Sequence, residues 1–407
     1  MTVSASRSLL TLGLVTLQQV GLTMVRFGLP ALAPFVRADL GLTLVQVGVL
    51  LAMIDVGSLL MYVPLGVAAD WWGERRILIG GGLTVGVAAL LAATAPSYGI
   101  VLGALALAGV GFPSGHIGGS KVVTRYFPPT ARGVAVGVRQ SGLSLGGAAA
   151  ALLVPALSAA GGWRLALGVL GAICAVCGLC CAALPRDPAP RAAVGSSLDA
   201  LRTLIADRTF RYLTLASTAL VVGQFTLQGY LPLYLVDEHG WAPSAAGRLL
   251  ALVHLGGVGA RLLWGLVSDR VTGGRRRPVL LFVAAGGIGV VLALVRLPQP
   301  VGADLAAAAA LLGGTFLAGW NGLAVTMVLE RAGAVRAATG LGLSLTVIYL
   351  GTLVSSPLFG WIVDTAGAYA PAWLLVALCQ AAACGLLLAV REEPVPAPAG
   401  LRTGAAK

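Results

Sequence analysis

The side chains of this sequence that could do chemistry are charged groups inside long apolar runs. Only 10% of the residues are charged, yet these runs contain four basic residues and one clear carboxylate, namely Arg26, Lys121, Arg139, Arg261 and Asp55. A charge in an apolar setting is costly unless it faces a partner or a cavity, so such residues usually mark a functional site. The excess of bases over acids predicts a site for an anion.

Two of these arginines, Arg26 and Arg261, are predicted to hold the anion between them. A planar guanidinium group donates two parallel hydrogen bonds to a carboxylate, which the point charge of lysine does not reproduce. Structural alternatives stay open for each base. Lys121 could extend its amine to the lipid headgroups, Arg261 could pair with Asp269, and Arg26 could form a gating pair or bond helix-end carbonyls.

Asp55, His116 and His254 are the candidates for carrying a coupling proton, since histidine titrates near neutral pH and a carboxylate at depth is rare. A hydrogen bond between helices is the structural alternative for each. Amides as neutral donors and aromatic rings as walls are predicted to complete the pocket, which gives as substrate-binding candidates Arg26, Arg261, Arg139, Gln140, His116, Gln224, Gln228, Tyr230, His254, Trp320, Asn321 and Tyr349.

Residue patterns for catalysis or for metal binding do not occur in the sequence. It has no Walker loop and no nucleophile beside a base, and its three histidines are scattered. Cys174, Cys177, Cys180 and Cys181 lie in an apolar run without histidine or acidic neighbours, so they are predicted to pack as small apolar residues. The sequence therefore predicts neither an enzyme nor a bound metal or cofactor.

The elements that must position these residues are predicted to be membrane-spanning helices. Hydrophobic residues make up 58% of the chain and the mean hydropathy is +0.92. Apolar runs long enough to cross a hydrocarbon layer of about 30 Å recur along the chain, without the alternation of a β-barrel. An all-α integral membrane protein is therefore expected, with twelve spans at approximately 9–34, 44–68, 77–95, 99–124, 133–158, 164–184, 210–235, 245–268, 279–296, 303–330, 338–363 and 371–390.

One long polar stretch, rich in proline and arginine, interrupts the apolar runs at 185–208. It divides the chain into a six-helix bundle at 1–184, a linker at 185–209, a second six-helix bundle at 210–390 and a tail at 391–407. The first apolar run extends to about Pro34 without a small-residue cleavage pattern, so it is predicted to be a helix and not a signal peptide.

The net charge of +12 is explained by membrane topology. If both termini are cytoplasmic, most of the 27 basic residues fall in the cytoplasmic loops, as the positive-inside rule requires. We therefore expect a multi-pass protein of the cytoplasmic (inner) membrane. The basic charge indicates this orientation and contact with anionic lipid, and not a nucleic-acid partner.

A charged string occurs twice in loops that occupy equivalent places in the two predicted bundles. The first copy reads GVAADWWGERR at 66–76 and the second reads GLVSDRVTGGRRR at 265–277. Glycines allow close approach and tight turns, and an acid beside arginines can pair reversibly between helix ends. The strings are therefore predicted to act as a conformational latch, formed by Gly66, Asp70, Gly73, Arg75 and Arg76 and by Gly265, Asp269, Arg270, Gly274, Arg275 and Arg276.

These two strings resemble the G-x-x-x-D-R-x-G-R-R loop signature of the major facilitator superfamily and its second-half copy. Departures are Trp71 where a basic residue is usual, Glu74 where an arginine is, and one extra residue before Gly274. The resemblance covers the whole chain. It implies two six-helix bundles built from inverted repeats, a substrate site between them, and alternating access by rocking.

Other stretches are similar to particular branches of that superfamily. Residues 120–147, GGWR at 161–164, residues 246–270 and GWNG at 319–322 resemble the anion:cation symporters and the cyanate- and nitrate-type permeases. The fifth span has Gly142, Gly146 and Gly147 but lacks the proline that drug/proton antiporters usually carry there.

Together these observations predict a secondary active transporter of a small anion, such as an organic carboxylate, coupled to protons and working as a monomer in the bilayer. A proton-driven exporter of drugs or lipophilic compounds is the first alternative, and a non-transporting membrane sensor on the same scaffold is the second. An acid-lined cavity would favour cation export, and ligand binding without flux would favour a sensor.

Overall fold

The computed structural model describes residues 5–127, 129–185 and 198–392, without the side chains of residues 5–7, 70, 124, 129–134, 198–200 and 334–339. Described residues are almost all helical. The α-helices are α1 (Ala5–Leu40), α2 (Leu44–Trp72), α3 (Glu74–Thr94), α4 (Tyr98–Gly111), α5 (Pro113–Tyr126), α6 (Pro129–Cys180), α7 (Leu198–Ala206), α8 (Arg208–His239), α9 (Pro243–Arg270), α10 (Arg277–Val295), α11 (Ala303–Leu317), α12 (Asn321–Ala366) and α13 (Ala370–Ala389).

The helices make twelve passages, as the sequence predicts. Within the described residues, eleven helical segments are long and apolar enough to cross a membrane. One of them, Ala135–Ala183, is broken by the non-helical residues Gly161 and Gly162 and therefore counts as two spans. A similar break at Gly333 divides α12 between the tenth and eleventh spans.

Two spans are each made of two helices in succession, which the sequence analysis did not predict. The fourth passes from α4 to α5 at Phe112, where Pro113 starts the new helix because its missing N–H is tolerated in a first turn. The tenth passes from α11 to the start of α12 around Ala318. Residues 186–197 of the predicted linker and 393–407 of the predicted tail lie outside the described residues.

Paired glycines let equivalent helices of the two halves approach closely. A Cβ placed on Gly57 would lie 2.0 Å from the carbonyl oxygen of Ala106, and one on Gly314 would lie 2.0 Å from that of Val253. The first contact joins α2 to α4 and the second joins α11 to α9, so small residues permit the same helix pairing in both halves.

The helices before and after α7 form two halves that meet chiefly where α2 packs on α12, α6 on α9, and α1 on α8 and α9. Because successive spans alternate in direction, the start of α1, the end of α6 and the start of α8 lie at one end of the bundle. We call it the linker end, and it contains Glu74, Arg125, Asp207, Arg276 and Glu330. The opposite, distal end contains Arg37, Leu44, Asp237 and Asp364.

Candidate functional site

Arg26 of α1 and Asp55 of α2 form a buried ion pair between the two ends. The guanidinium group donates from Nε to Oδ1 of Asp55 at 3.1 Å and from Nη2 to Oδ2 at 2.6 Å. The two side chains are only 5% and 2% exposed. Two parallel charge-assisted hydrogen bonds hold the carboxylate in the fork of the arginine. Asp55 therefore occupies the face of Arg26 that the sequence analysis assigned to a substrate anion.

Residues of the second half contact this pair. Thr352 of α12 donates to Oδ2 of Asp55 at 3.2 Å. The ring of Phe225, on α8, has its centroid 4.8 Å from the guanidinium carbon of Arg26, a distance at which a cation is attracted to an aromatic face. A change in the charge of Asp55 would thus be felt at contacts between the halves.

A tyrosine pair lies next to the ion pair. Tyr62 of α2 donates to the hydroxyl of Tyr349 of α12 at 2.9 Å, again across the two halves. The ring of His116, on α5, lies 6.3 Å from the ring of Tyr62. The predicted residues His116 and Tyr349 are therefore brought close to Asp55, through a tyrosine that the sequence analysis did not name.

Arg261 of α9 reaches from the second half to the first. Its Nη1 donates to Oγ of Ser144, on α6, at 2.8 Å, and its buried Nε has no hydrogen-bond partner among the described residues. No hydrogen bond or ion pair joins it to Asp269 in the described part of the chain, so the alternative of an Arg261–Asp269 pair is not realised in this conformation. His254 lies on the same helix, against Gly147 of α6 and 5.4 Å from the ring of Phe27.

Arg139 is the third arginine at depth, and it is only 3% exposed. Its Nη1 donates to Oε1 of Gln19 and to the carbonyl oxygen of Gly115, both at 3.1 Å. Its Nε has no hydrogen-bond partner among the described residues, and neither have Nε2 of Gln19 and Nδ1 of His116. Arg139 therefore bonds neutral groups alone, in a setting with spare hydrogen-bonding capacity.

The amides predicted to line the pocket lie in both halves. Asn321 of α12 donates to Oε1 of Gln224 at 3.1 Å, which ties α12 to α8 within one half. Oε1 of Gln228, Oε1 of Gln140 and Nε1 of Trp320 are buried without a hydrogen-bond partner in the described part of the chain. These atoms are available to a ligand or to water.

The distal end is closed by hydrogen bonds between the halves. Arg37, at the end of α1, pairs with Asp237 at the end of α8. The carboxylate of Asp364, on α12, accepts from the backbone N–H of Leu44 at 3.0 Å and of Val45 at 2.8 Å. An anion is stabilised at a helix N-terminus, so Asp364 fixes the start of α2 against the other half.

Tyr230 also belongs to this closure. Its hydroxyl hydrogen-bonds the carbonyl oxygens of Leu44 at 3.0 Å and Ser356 at 2.7 Å, and its side chain is fully buried. A Cβ placed on Gly48 would lie 2.4 Å from the carbonyl oxygen of Ser356, so α2 and α12 are in backbone contact here. Tyr230 was predicted to be a pocket wall, but in this conformation it seals the contact between the halves.

At the linker end the described ion pairs stay within one half. They join Arg125 to Glu74 at 2.6 Å in the first half, and Arg276 to Glu330 at 2.8 Å and Arg331 to Asp207 at 2.7 Å in the second. Asp207 also accepts from the backbone N–H of Thr209, at the start of α8. Partial burial opposes charge on Asp207, but the hydrogen bond from Arg331 and the bonds from backbone N–H groups outweigh it and lower the pKa of the carboxyl.

The repeated loops have matching turns. Gly73 and Gly274 both have a φ of 83°, a backbone conformation that favours glycine, as the tight-turn prediction requires. A methyl group at Gly66 or Gly265 would meet no atom within 4 Å. Asp269 and Arg270 are exposed.

The latch itself stays a prediction. The side chain of Asp70 lies outside the described residues, and none of the described ion pairs joins the two loops. Arg76 and Arg275 are exposed in this conformation, and Arg75 is partly buried.

Sequence reasoning missed the neutral partners of the charged groups. Thr352, Ser144, Phe225 and Tyr62 are residue types that occur throughout membrane helices, so nothing in the sequence distinguished them. The adjacent amides at Gln18 and Gln19 did carry a signal, because two consecutive glutamines at depth in a span are unusual.

An apolar groove lies away from all these groups. Its volume is about 390 Å³ and it is lined by Leu91, Thr94, Ala95, Pro96, Ile100, Gly103, Ala104 and Leu107 of α3, α4 and the turn between them. The described residues hold no group of three or more histidine, cysteine or acidic side chains that could bind a metal. The described arginines at depth are therefore Arg26 and Arg139, with partners in the first half, and Arg261, which hydrogen-bonds across the halves.

Comparison with known proteins places this architecture in a large family. The sequence profile described as Major Facilitator Superfamily matches residues 15–356. An uncharacterized MFS-type transporter of Mycobacterium tuberculosis (strain H37Rv) is 30% identical over 382 residues, covering 93% of this chain and 83% of that protein.

Two further relatives have substrates in their names. A probable sulfoacetate transporter of Cupriavidus necator is 29% identical, covering 84% of each chain, and monocarboxylate transporter 13 of Rattus norvegicus is 27% identical, covering 78% of this chain and 73% of that one. Among solved structures, a bacterial homologue of the human lysosomal transporter Spinster, in an inward-facing and unoccupied conformation, superposes with a TM-score of 0.77 at 18% identity and covers 97% of this chain. This last likeness shows the fold.

Proposed function

The chain belongs to the major facilitator superfamily of membrane transporters, and on that premise we propose that it carries a small organic anion, coupled to protons, by alternating access. The fold and the family establish a multi-pass transporter of small molecules. The anionic substrate, the coupling and the direction rest on the site.

The observation that carries the proposal is the imbalance of charge at depth. Asp55 neutralises Arg26, while Arg139 and Arg261 bond only neutral partners among the described residues. Uncompensated arginines within a membrane cost several kcal/mol unless a counter-charge or water reaches them. An anionic substrate supplies that charge. The names of the sulfoacetate and monocarboxylate relatives support an organic anion.

Arg261 is the residue best placed to meet the anion, because it crosses between the halves and its Nε–H has no partner within the described ranges. Arg26 joins it when Asp55 accepts a proton, since a neutral carboxyl releases the guanidinium fork. Protonation of Asp55 also weakens the hydrogen bond that it accepts from Thr352, and this bond joins the two halves. Asp55 is therefore the first candidate for the coupling proton, with His116 and His254 next.

The conformation is interpreted as inward-facing. Hydrogen bonds join the halves at the distal end, whereas the described ion pairs of the linker end stay within one half. The positive-inside rule places the linker end, with both termini, in the cytoplasm. The site then opens to the cytoplasm, and the distal contacts separate in the outward-facing state.

Flux into liposomes containing the purified protein tests this proposal. Lactate and sulfoacetate are offered with and without an inward proton gradient, and Arg261→Lys is compared with Arg164→Lys, a surface arginine at the distal end. We expect gradient-driven uptake of at least one anion, lost in Arg261→Lys and kept in the control. Transport of cationic or lipophilic compounds alone would contradict the proposal, as would unchanged flux in Arg261→Lys.

A further inference from the structure

We infer that the substrate carries two negative charges, one held by Arg139 and the other by Arg261. This inference rests on the proposed function and makes it narrower, because it distinguishes a dianion, such as a short dicarboxylate or sulfocarboxylate, from a monocarboxylate.

The charges at this depth match a dianion. As the structure stands, Arg26 and Asp55 cancel, and Arg139 and Arg261 leave two positive charges whose described partners are neutral. A dianion brings the site to neutrality, whereas a monoanion leaves one buried charge uncompensated. If Asp55 also takes up a proton, Arg26, Arg139 and Arg261 together carry three positive charges. A dianion then leaves one of them uncompensated, whereas a monoanion leaves two.

Each of the two guanidinium groups has an N–H that could bind a ligand. Nε of Arg139 and Nε of Arg261 are buried and lack a hydrogen-bond partner in the described residues. A buried N–H without a partner costs free energy, so such groups normally face water or a ligand. Around Arg139, Nε2 of Gln19 and Nδ1 of His116 are also unpartnered, which gives this subsite neutral groups to complete an anion's coordination.

The two arginines also lie at comparable distances from the linker end. Arg139 lies ten residues from the start of α6 and Arg261 nine residues from the end of α9, so both are roughly 14 Å from the linker end at 1.5 Å per residue. Arg261 is anchored to Ser144, which is less than two helical turns from Arg139 on α6. The two charges therefore lie at a similar depth, one on each half of the molecule.

The experiment compares anions that differ by one charge. Malonate and monomethyl malonate are tested for binding by thermal stabilisation of the purified protein, and for flux in liposomes, in wild type and in Arg139→Gln. Arg296→Gln, which removes an exposed arginine outside the site, is the control for loss of one positive charge. Gly119→Ala keeps the charge but displaces Arg139, because the new methyl would lie 2.9 Å from its Cδ.

We expect wild type and Arg296→Gln to bind malonate more tightly than the monoester by roughly tenfold to a hundredfold, the value of one charge-assisted hydrogen-bonded contact. Arg139→Gln should abolish this preference by weakening malonate binding while leaving the monoester unchanged. Gly119→Ala should reduce it. If Arg139→Gln does not fold, the wild-type comparison alone decides.

Three results would overturn the inference. Equal binding of the two anions by wild type excludes a site for two charges. An undiminished preference in Arg139→Gln shows that Arg139 is a structural bridge to α1 and α5. If neither malonate nor its monoester binds but lactate is still transported, the inference is wrong and the proposed function stands. If no anion is bound or transported, both are wrong.

Discussion

The distal and linker ends use their charged residues differently. At the distal end Asp364, Asp237 and Arg37 bond across the two halves. At the linker end Glu74, Glu330 and Asp207 bond within one half. The first arrangement holds a gate shut, whereas the described ion pairs of the second join elements of the same half. An interaction affects the balance between transport states only when it crosses between the halves.

The ion pair between the two ends should give the largest effect. Arg26→Leu leaves Asp55 buried without its partner, and breaking a buried pair in this way costs about 3–5 kcal/mol. We expect a large loss of thermal stability in detergent, partly recovered in Arg26→Leu/Asp55→Leu because no charge then remains. Equal stability of Arg26→Leu and wild type would show that the pair is exposed to water.

Overpacking at the distal contact should come next. Gly48→Ala places a methyl 2.4 Å from the carbonyl oxygen of Ser356, and such crowding typically costs about 1–3 kcal/mol. Because the clash exists only when the distal end is closed, the variant should favour the state open at that end. Accessibility of a cysteine placed on α2 measures the shift. Gly80→Ala, in α3, where a methyl meets no atom within 4 Å, is the matched control.

Removing the charge of Asp364 should have a smaller effect on the closed distal end. Asp364→Asn removes the charge that accepts from the N–H groups of Leu44 and Val45, at a cost of about 1 kcal/mol. We expect the closed distal end to lose about fivefold in population relative to the open state. Glu330→Gln, which weakens a pair within one half, should leave the populations unchanged. A shift of the same size in both variants would refute the distinction between the ends.

The smallest effect is expected at Asp207, whose lowered pKa links it to stability at low pH. A carboxyl with a depressed pKa in the folded state contributes stability above its unfolded pKa, near 3.8, and loses that contribution as the pH falls through its folded pKa. Asp207→Asn should thus lower thermal stability slightly at pH 7 and flatten its fall below about pH 4. Transport states should not shift, as spin-label distances between the halves would reveal.

The helices and turns could be predicted from the sequence better than the hydrogen-bond partners of the buried arginines. The twelve passages, the break at Gly161 and Gly162 and the turns at Gly73 and Gly274 follow from apolar length and glycine chemistry, which are local. Arg26, Arg139 and Arg261 were identified because a charge at depth is costly wherever the helix lies. The sequence did not identify Asp55, Ser144 and Gln19 as their partners, because these residues lie on other helices. Helix packing decides which side chains meet.

The sequence by itself therefore determined that this chain crosses the membrane twelve times, that it has two related halves, and that cations outnumber anions at depth. These properties depend on composition and spacing along the chain. The tertiary structure alone decided that Asp55 neutralises Arg26, that Nε of Arg139 and Nε of Arg261 have no partner among the described residues, and that Tyr230 seals the distal end. Each depends on how helices far apart in sequence come together, and the same side chains in another packing would leave a different charge free for the substrate.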